Sequence, residues 1–342
     1  MWTIENETPY AAERSLTTDL EGRDVWLVVV KATFLIQPDG STSVAAEQVP
    51  VRHELKHRGE PASTSLLYES DMVLTKANTD VLLEGHAYVP GGREATQADV
   101  MMQVGKIKKI ARVWGDRAWT PGLLGLKLTD PLPFRKMPLT WERAFGGTDL
   151  ISDNKSLHDW EPRNPVGAGF GVQSEHVVGR KAPNVEDPGH LISSWKDRPR
   201  PLGFGPIARH WIPRRKFAGT YDEKWEKERQ PLLPRDFDPR FNQTAPEDQQ
   251  AEGYLKGGIP VELYNLTPSG VLKFALPKVA LRFSTLVGSE STEHRADLMT
   301  VLLEPDFPRV VLVWRTSLPV HGKKLKIDRT VVGEKEYVEL GS

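Results

Sequence analysis

Over the first and last thirds of the chain, apolar residues either alternate with polar ones or run together in short β-branched blocks; over the middle third they do neither. Residues 25–36, VWLVVVKATFLI, form one such block. The turn Pro38-Asp39-Gly40 closes it and STSVAAEQVPV follows, which predicts two successive strands. From 80 to 89, Val81, Leu83, Gly85, Ala87 and Val89 share one face at period two, before Pro90-Gly91-Gly92 turns the chain. The run 98–119 reads as a hairpin with Gly115-Asp116 at its tip. In the last third, PVELYNL and VLKFAL flank the turn Thr267-Pro268-Ser269-Gly270. ADLMTVLLE, RVVLVWRTSL and KKLKIDRTVV supply three more strands. In the last, Leu325 and Ile327 are expected to point inward and Lys324, Lys326 and Asp328 to water. The predicted fold class is mainly β. Antiparallel, sandwich-like sheets come from an N-terminal region, 1–130, and a C-terminal region, 259–342, with one shared core or two left open. An irregular middle region, 131–258, packs across them.

That middle region is rich in Gly, Pro, Asn and Trp. Long aperiodic segments inside a compact domain are usually functional or disordered, and its many aromatics argue against disorder. Residues 211–250 hold six aromatics, five prolines, eight acids and eight bases, but only three of Val, Ile and Leu. Thr220-Tyr221-Asp222-Glu223 fits a capping box and predicts a short helix over about 221–229. The Thr220 hydroxyl would cap it, Glu223–Lys227 and Lys224–Glu228 would pair along it, and Pro231 would stop it. Tyr221 and Trp225 would share a face.

Charge and composition narrow the chemistry. The net charge of −1 leaves no basic footprint, so nucleic acid is not an expected partner. With no cysteine, disulfides, thiol nucleophiles and Cys-ligated metals are excluded. No leader pattern or membrane-length apolar run is visible, so a soluble cytoplasmic protein without a membrane partner is expected. His53-Glu54-Leu55-Lys56-His57 matches the zinc-protease motif, in which two histidines one helical turn apart hold zinc and the glutamate activates water. Pro50 and Gly59-Glu60-Pro61 leave room for only two turns, so a polar connector between strands is the stronger reading. Asp149, Asp153, His158 and Asp159 form a loose cluster without a metal-loop spacing, and they read as solvated loop residues. Gly167-Ala168-Gly169-Phe170-Gly171 lacks a phosphate-loop ending and reads as a tight loop. Lys106, Lys108, Lys109, Arg112 and Arg117 read as the wet face of a strand. What remains is the Trp- and Arg-rich middle, whose residue types dominate protein-binding hot spots. They also serve to stitch loops to a core, Arg stacked on Trp. The residues alone leave these two readings open.

A series of motifs carries a resemblance. It comprises Glu142-Arg143-Ala144-Phe145-Gly146-Gly147, Arg163-Asn164-Pro165-Val166-Gly167, Gly203-Phe204-Gly205-Pro206-Ile207, Trp211-Ile212-Pro213-Arg214, AGTYDEKW from Ala218, PLLPRDFD from Pro231 and APEDQQ from Ala245. Upstream, Ser70-Asp71, Lys76, Asp80, GHAYVPGG and Trp114-Gly115-Asp116-Arg117 fit as well. In order, they cover most of the chain, which resembles the bacterial family named domain of unknown function 2169, associated with type VI secretion. The resemblance implies a non-enzymatic cytoplasmic adaptor or effector chaperone. Its partners would be a cognate effector protein and spike-tip proteins of the VgrG and PAAR kind. It implies no catalytic residue, no cofactor and no small-molecule substrate. The residues expected to bind the partner are Arg163, Trp211, Arg214, Arg215, Tyr221, Trp225 and Phe237. Two rival functions stand beside it: a metal-dependent hydrolase using His53, Glu54 and His57 or the middle-loop acids, and a carbohydrate-binding β-sandwich.

Overall fold

Asp24–Ile36 forms a thirteen-residue strand in the computed structural model, which describes residues 2–123 and 125–337. Its apolar block lacks polar alternation because both faces are covered. Trp26, Val28, Val30, Ala32 and Phe34 face the main core, while Leu27 and Val29 face a second layer. Burying such a side chain completely contributes about 1.5–3 kcal/mol before entropy is counted. The strand lies between Ala11–Thr18 and Arg309–Pro319, antiparallel to both. Thr42–Val44 pairs with its far end. The large sheet continues antiparallel to Asp297–Glu304 and then parallel to Asp80–Leu83. The two ends of the chain are therefore woven into one sheet, and the terminal β regions share a core. The last five positions of the predicted C-terminal region lie outside the described residues.

Two further sheets complete the core. One runs Val185–Glu186, Ile107–Trp114, Gln97–Val104, Pro260–Tyr264 and Val271–Ala275, all antiparallel. The other runs Thr3–Asn6, Ile327–Glu334, Leu281–Val287 and Glu290–His294, with only the first pair parallel. Val100, Met102, Val261 and Leu263 of the first sheet, and Phe283 and Val332 of the second, join Val310 and Leu312 of the large sheet in one apolar cluster. The class is mainly β, as the periodicity predicts.

Three local expectations need correction. The hairpin tip is Gly105-Lys106, between Gln97–Val104 and Ile107–Trp114, and Gly105 has φ +56. Gly115 sits instead where two segments cross: a Cβ there would lie 1.7 Å from the Leu132 carbonyl oxygen. Residues Lys324–Lys326 form a 3-10 turn, so Leu325 is 73% exposed while Ile327, the first strand residue, is buried. The predicted helix is Glu223–Glu228, and its cap is Asp222, whose carboxylate accepts the Trp225 amide at 2.8 Å. Thr220 turns away and bonds Asp236 through its amide and hydroxyl. Asp222 takes the cap because Asp236 engages both the amide and the hydroxyl of Thr220, leaving the Asp222 carboxylate to meet the Trp225 amide.

Candidate functional site

The middle region is held to the sheets by buried ions and aromatics. Lys31 interrupts the apolar run of the central strand, yet it is buried and donates to Asp71 at 2.7 Å. Burial pushes its amine down, and the Asp71 carboxylate opposes that. Lys76 donates to Asp80 at 2.5 Å and to Thr300 at 3.1 Å. Asp80 also accepts from Gln243 and from the Thr244 amide, fixing the segment after Phe241 to the sheet edge. Lys109, read from sequence as a wet-face residue, is buried as well. It donates to Gly203 O at 2.6 Å, Gln249 Oε1 at 2.8 Å and Asp248 Oδ1 at 3.1 Å. Burial brings its amine down to about 8 against the pull of Asp248. Arg117, from the same basic run, is buried on Glu186 and the Pro183 carbonyl. A buried cation survives only with such partners, so these side chains act as staples.

The expected partner-binding residues divide into two groups. Trp211 is fully buried, edge-on to Trp141 at 5.6 Å, in a cluster with Leu66, Ala144, Ile207 and Ala208. Arg214 is 3% exposed. Its guanidinium donates to Glu69 and the Ile207 carbonyl, each at 2.8 Å, and to the Phe241 carbonyl at 3.0 Å. In the folded chain both are interior posts, Trp211 wholly covered and Arg214 showing only at the walls of the two grooves described below. Glu69 also receives Arg209; burial pushes its carboxyl up, but the two guanidiniums win and hold it down at about 2. Arg163 is half-buried and clamps Glu161 through two bonds of 2.6 Å. Arg215 is exposed beside Arg214 on the short helix Ile212–Arg215.

Tyr221, Trp225 and Phe237 lie together on a surface lobe. Tyr221 is 53% exposed and meets Trp225 edge-on at 4.6 Å. The Trp225 indole donates to the Leu232 carbonyl at 2.8 Å, closing the lobe. Arg229 bonds the Leu233 carbonyl within the lobe and the Leu20 carbonyl beyond it, fastening the lobe to the turn after Ala11–Thr18. Phe237 packs on Phe241 at 5.7 Å. Between lobe and sheet edge lies an apolar groove of about 320 Å³ lined by Leu20, Met72, Leu74, Leu233, Phe237 and Phe241. On the other side a more polar cleft of about 520 Å³ takes in Arg163, Arg200, Phe217, Arg240 and Asp248. Leu20, Met72 and Leu74 carry no local sequence signal; only the tertiary fold brings them to the lobe.

The other candidates separate. His53-Glu54 lies in a bend and Lys56–His57 is a strand paired with Leu66–Tyr68, so the two histidines do not share a helix face. His57 faces the Thr64 carbonyl at 3.1 Å. Asp149 is buried and bonds His176 at 2.9 Å and the Val172 amide at 2.7 Å, whereas His158 bonds the Ser152 carbonyl; Asp153 and Asp159 are exposed. Among the described residues, no group of three or more His, Asp or Glu is placed to hold a metal ion. No helix among them is long and apolar enough to cross a membrane.

A family model described as "Uncharacterized protein conserved in bacteria (DUF2169)" matches residues 21–315. The chain belongs to that family. No curated protein and no solved structure matches it.

Proposed function

We propose that this chain is a non-catalytic adaptor that binds a type VI secretion effector in the cytoplasm and passes it to the spike-tip proteins. The observation that supports the reading is the apolar groove walled by Leu233, Phe237 and Phe241, with Arg214 bonded to the Phe241 carbonyl, beside the exposed Tyr221–Trp225 pair of the same lobe. Aromatic side chains ordered in advance lose little freedom on binding; ordering a loose one costs about 0.5–1.5 kcal/mol. The groove suits an apolar stretch of an effector that must be kept from water until it is loaded. Action would be stoichiometric, by burial and release.

The test is a pull-down of the tagged full-length chain from its native cytosol with the secretion genes expressed, read by mass spectrometry. A toxin-like protein in equal amount, lost from the Tyr221→Ala/Phe237→Ser variant at unchanged melting temperature, is the expected result. A chain that emerges alone under those conditions would overturn the proposal.

A further inference from the structure

The large sheet has two edges, and the fold treats them differently. Asp80–Leu83, at one edge, is sealed by the middle region. The Leu83 amide donates to the Phe204 carbonyl at 3.1 Å, the Gln249 side-chain amide donates to the Val81 carbonyl at 2.7 Å, and Asp80 bridges to Gln250. Ala11–Thr18, at the other edge, pairs only with Asp24–Ile36. Its eight residues pair without a register shift, and none of them is buried. It contains no proline and no bulge, two of the devices that close an edge. Its charged side chains turn to other parts of the chain, Arg14 to the Trp2 carbonyl and Glu13 to His53 at 3.9 Å.

The register fixes which backbone groups the open edge presents. Just past the strand, the Asp19 amide donates to the Arg23 carbonyl at 3.0 Å, so the bonded pairs alternate from there as Thr17–Val25, Ser15–Leu27 and Glu13–Val29. The amides and carbonyls of Ala12, Arg14, Leu16 and Thr18 point the other way, and none of them meets a protein partner among the described residues. The apolar groove beside the lobe is continuous with this edge, because Thr17 and Thr18 line it together with Met72 and Phe237. It opens on the face that Ser15 and Thr17 share. Ser15 lies opposite Leu27, and Met72 packs against the Leu27 layer.

Resting on the adaptor reading, we infer that the effector binds as an extended segment, which adds a strand to the open edge of Ala11–Thr18 and seats apolar side chains in the groove at its Thr17 end. Free amides and carbonyls at strand spacing are met by another extended backbone. A helix uses its own amides and carbonyls internally and has none to offer along its length. In an added strand every second side chain lies on the groove face, so the segment is apolar at alternate positions. A second copy of this chain does not fit that description, because its matching strand would bring Glu13, Ser15 and Thr17 to the groove face. The backbone bonds supply affinity and the groove selects the sequence.

The experiment uses the full chain and a labelled peptide of alternating valine and threonine with a lysine tail, followed by fluorescence anisotropy and by amide hydrogen exchange. In the free chain the amides of Arg14 and Leu16 are expected to exchange fast and those of Glu13 and Ser15 slowly; bound peptide is expected to slow the first pair at least tenfold. The same peptide N-methylated at every amide keeps its side chains and is expected to bind at least tenfold more weakly. Arg14→Pro, which removes an outward amide that the fold does not use, is expected to weaken binding as much at unchanged melting temperature. If that variant melts lower, the methylated peptide and the exchange of the parent chain decide alone. No binding, equal binding of the methylated peptide, or slow exchange at Arg14 and Leu16 in the free chain would overturn the inference. So would protection that rises with protein concentration alone, since the edge would then pair with a second copy. Peptide pairing in a chain that captures no effector would remove the proposed function and leave the strand-accepting edge standing. Effector capture untouched by a folded Arg14→Pro would remove the edge and leave the function.

Discussion

Single side chains decide where this molecule is vulnerable, and the buried charges are the first of them. Arg214→Met would leave Glu69 inside with Arg209 as its remaining cation, a loss of about 3–5 kcal/mol for breaking a buried pair. Urea denaturation should show it as a lower midpoint at unchanged slope. The Glu69 carboxyl, held at about 2 by its guanidiniums despite burial, is depressed in the folded state. Its stabilisation is present above the unfolded value near 4.5 and is lost as pH falls toward 2, roughly 3 kcal/mol in all. His294 acts in a higher window. Burial pushes its imidazole down to about 4, with one ring nitrogen on Thr285 and the other on Thr316. The unfolded chain takes up that proton first, so stability is lost as pH falls from 6.5 to 4, by roughly 2 kcal/mol once partial exposure is allowed for. Denaturation midpoints measured across pH 4–7 should fall for the parent and stay flatter for His294→Gln. A parent profile that is flat there would place the imidazole outside the linkage.

At the scale of the element, the cap of the Glu223–Glu228 helix makes a clean comparison. Asp222→Ala removes the acceptor for the Trp225 amide and should cost about 1 kcal/mol locally, seen as roughly fivefold faster exchange of that amide. Thr220→Ala should leave that amide unaffected, because its hydroxyl serves Asp236. The pair shows what was legible in the chain and what was not. A helix was readable from Tyr221 to Arg229, but two acceptor side chains two residues apart could both claim the cap, and only Asp236, brought round by the loop, decides between them. Strands were readable where burial follows period two, as at Val81, Leu83, Ala87 and Val89. Leu325 broke the pattern because a 3-10 turn rotates it outward before the strand begins. Trp211 and Arg214 looked like hot-spot residues because Trp and Arg serve both interfaces and loop staples, and composition does not record burial.

The scale of the whole molecule is where the sequence is least informative and the fold most binding. Asp24–Ile36 and Arg309–Pro319 pair along the full length of the latter strand, although almost the whole chain separates them. No turn residue or periodicity announces such a contact; it follows from covering both faces of a strand too apolar to meet water. The consequence is that the chain has no dispensable end. A fragment of residues 1–130 keeps Asp24–Ile36 but loses Arg309–Pro319 on one side, and with it the Val310, Leu312 and Trp314 contribution to the core. It should therefore be soluble only as an unfolded or aggregating species, with no cooperative transition on heating. The intact chain should melt once, because its buried tryptophans are spread over three clusters, Trp26 with Trp314, Trp141 with Trp211, and Trp119, of an interior that the buried ion pairs tie together. Tryptophan fluorescence and far-ultraviolet circular dichroism should then give the same midpoint. Two separated transitions would mean that the middle region and the sheets hold their structure independently, and that the Asp80–Thr244 and Lys109–Asp248 contacts do not couple them.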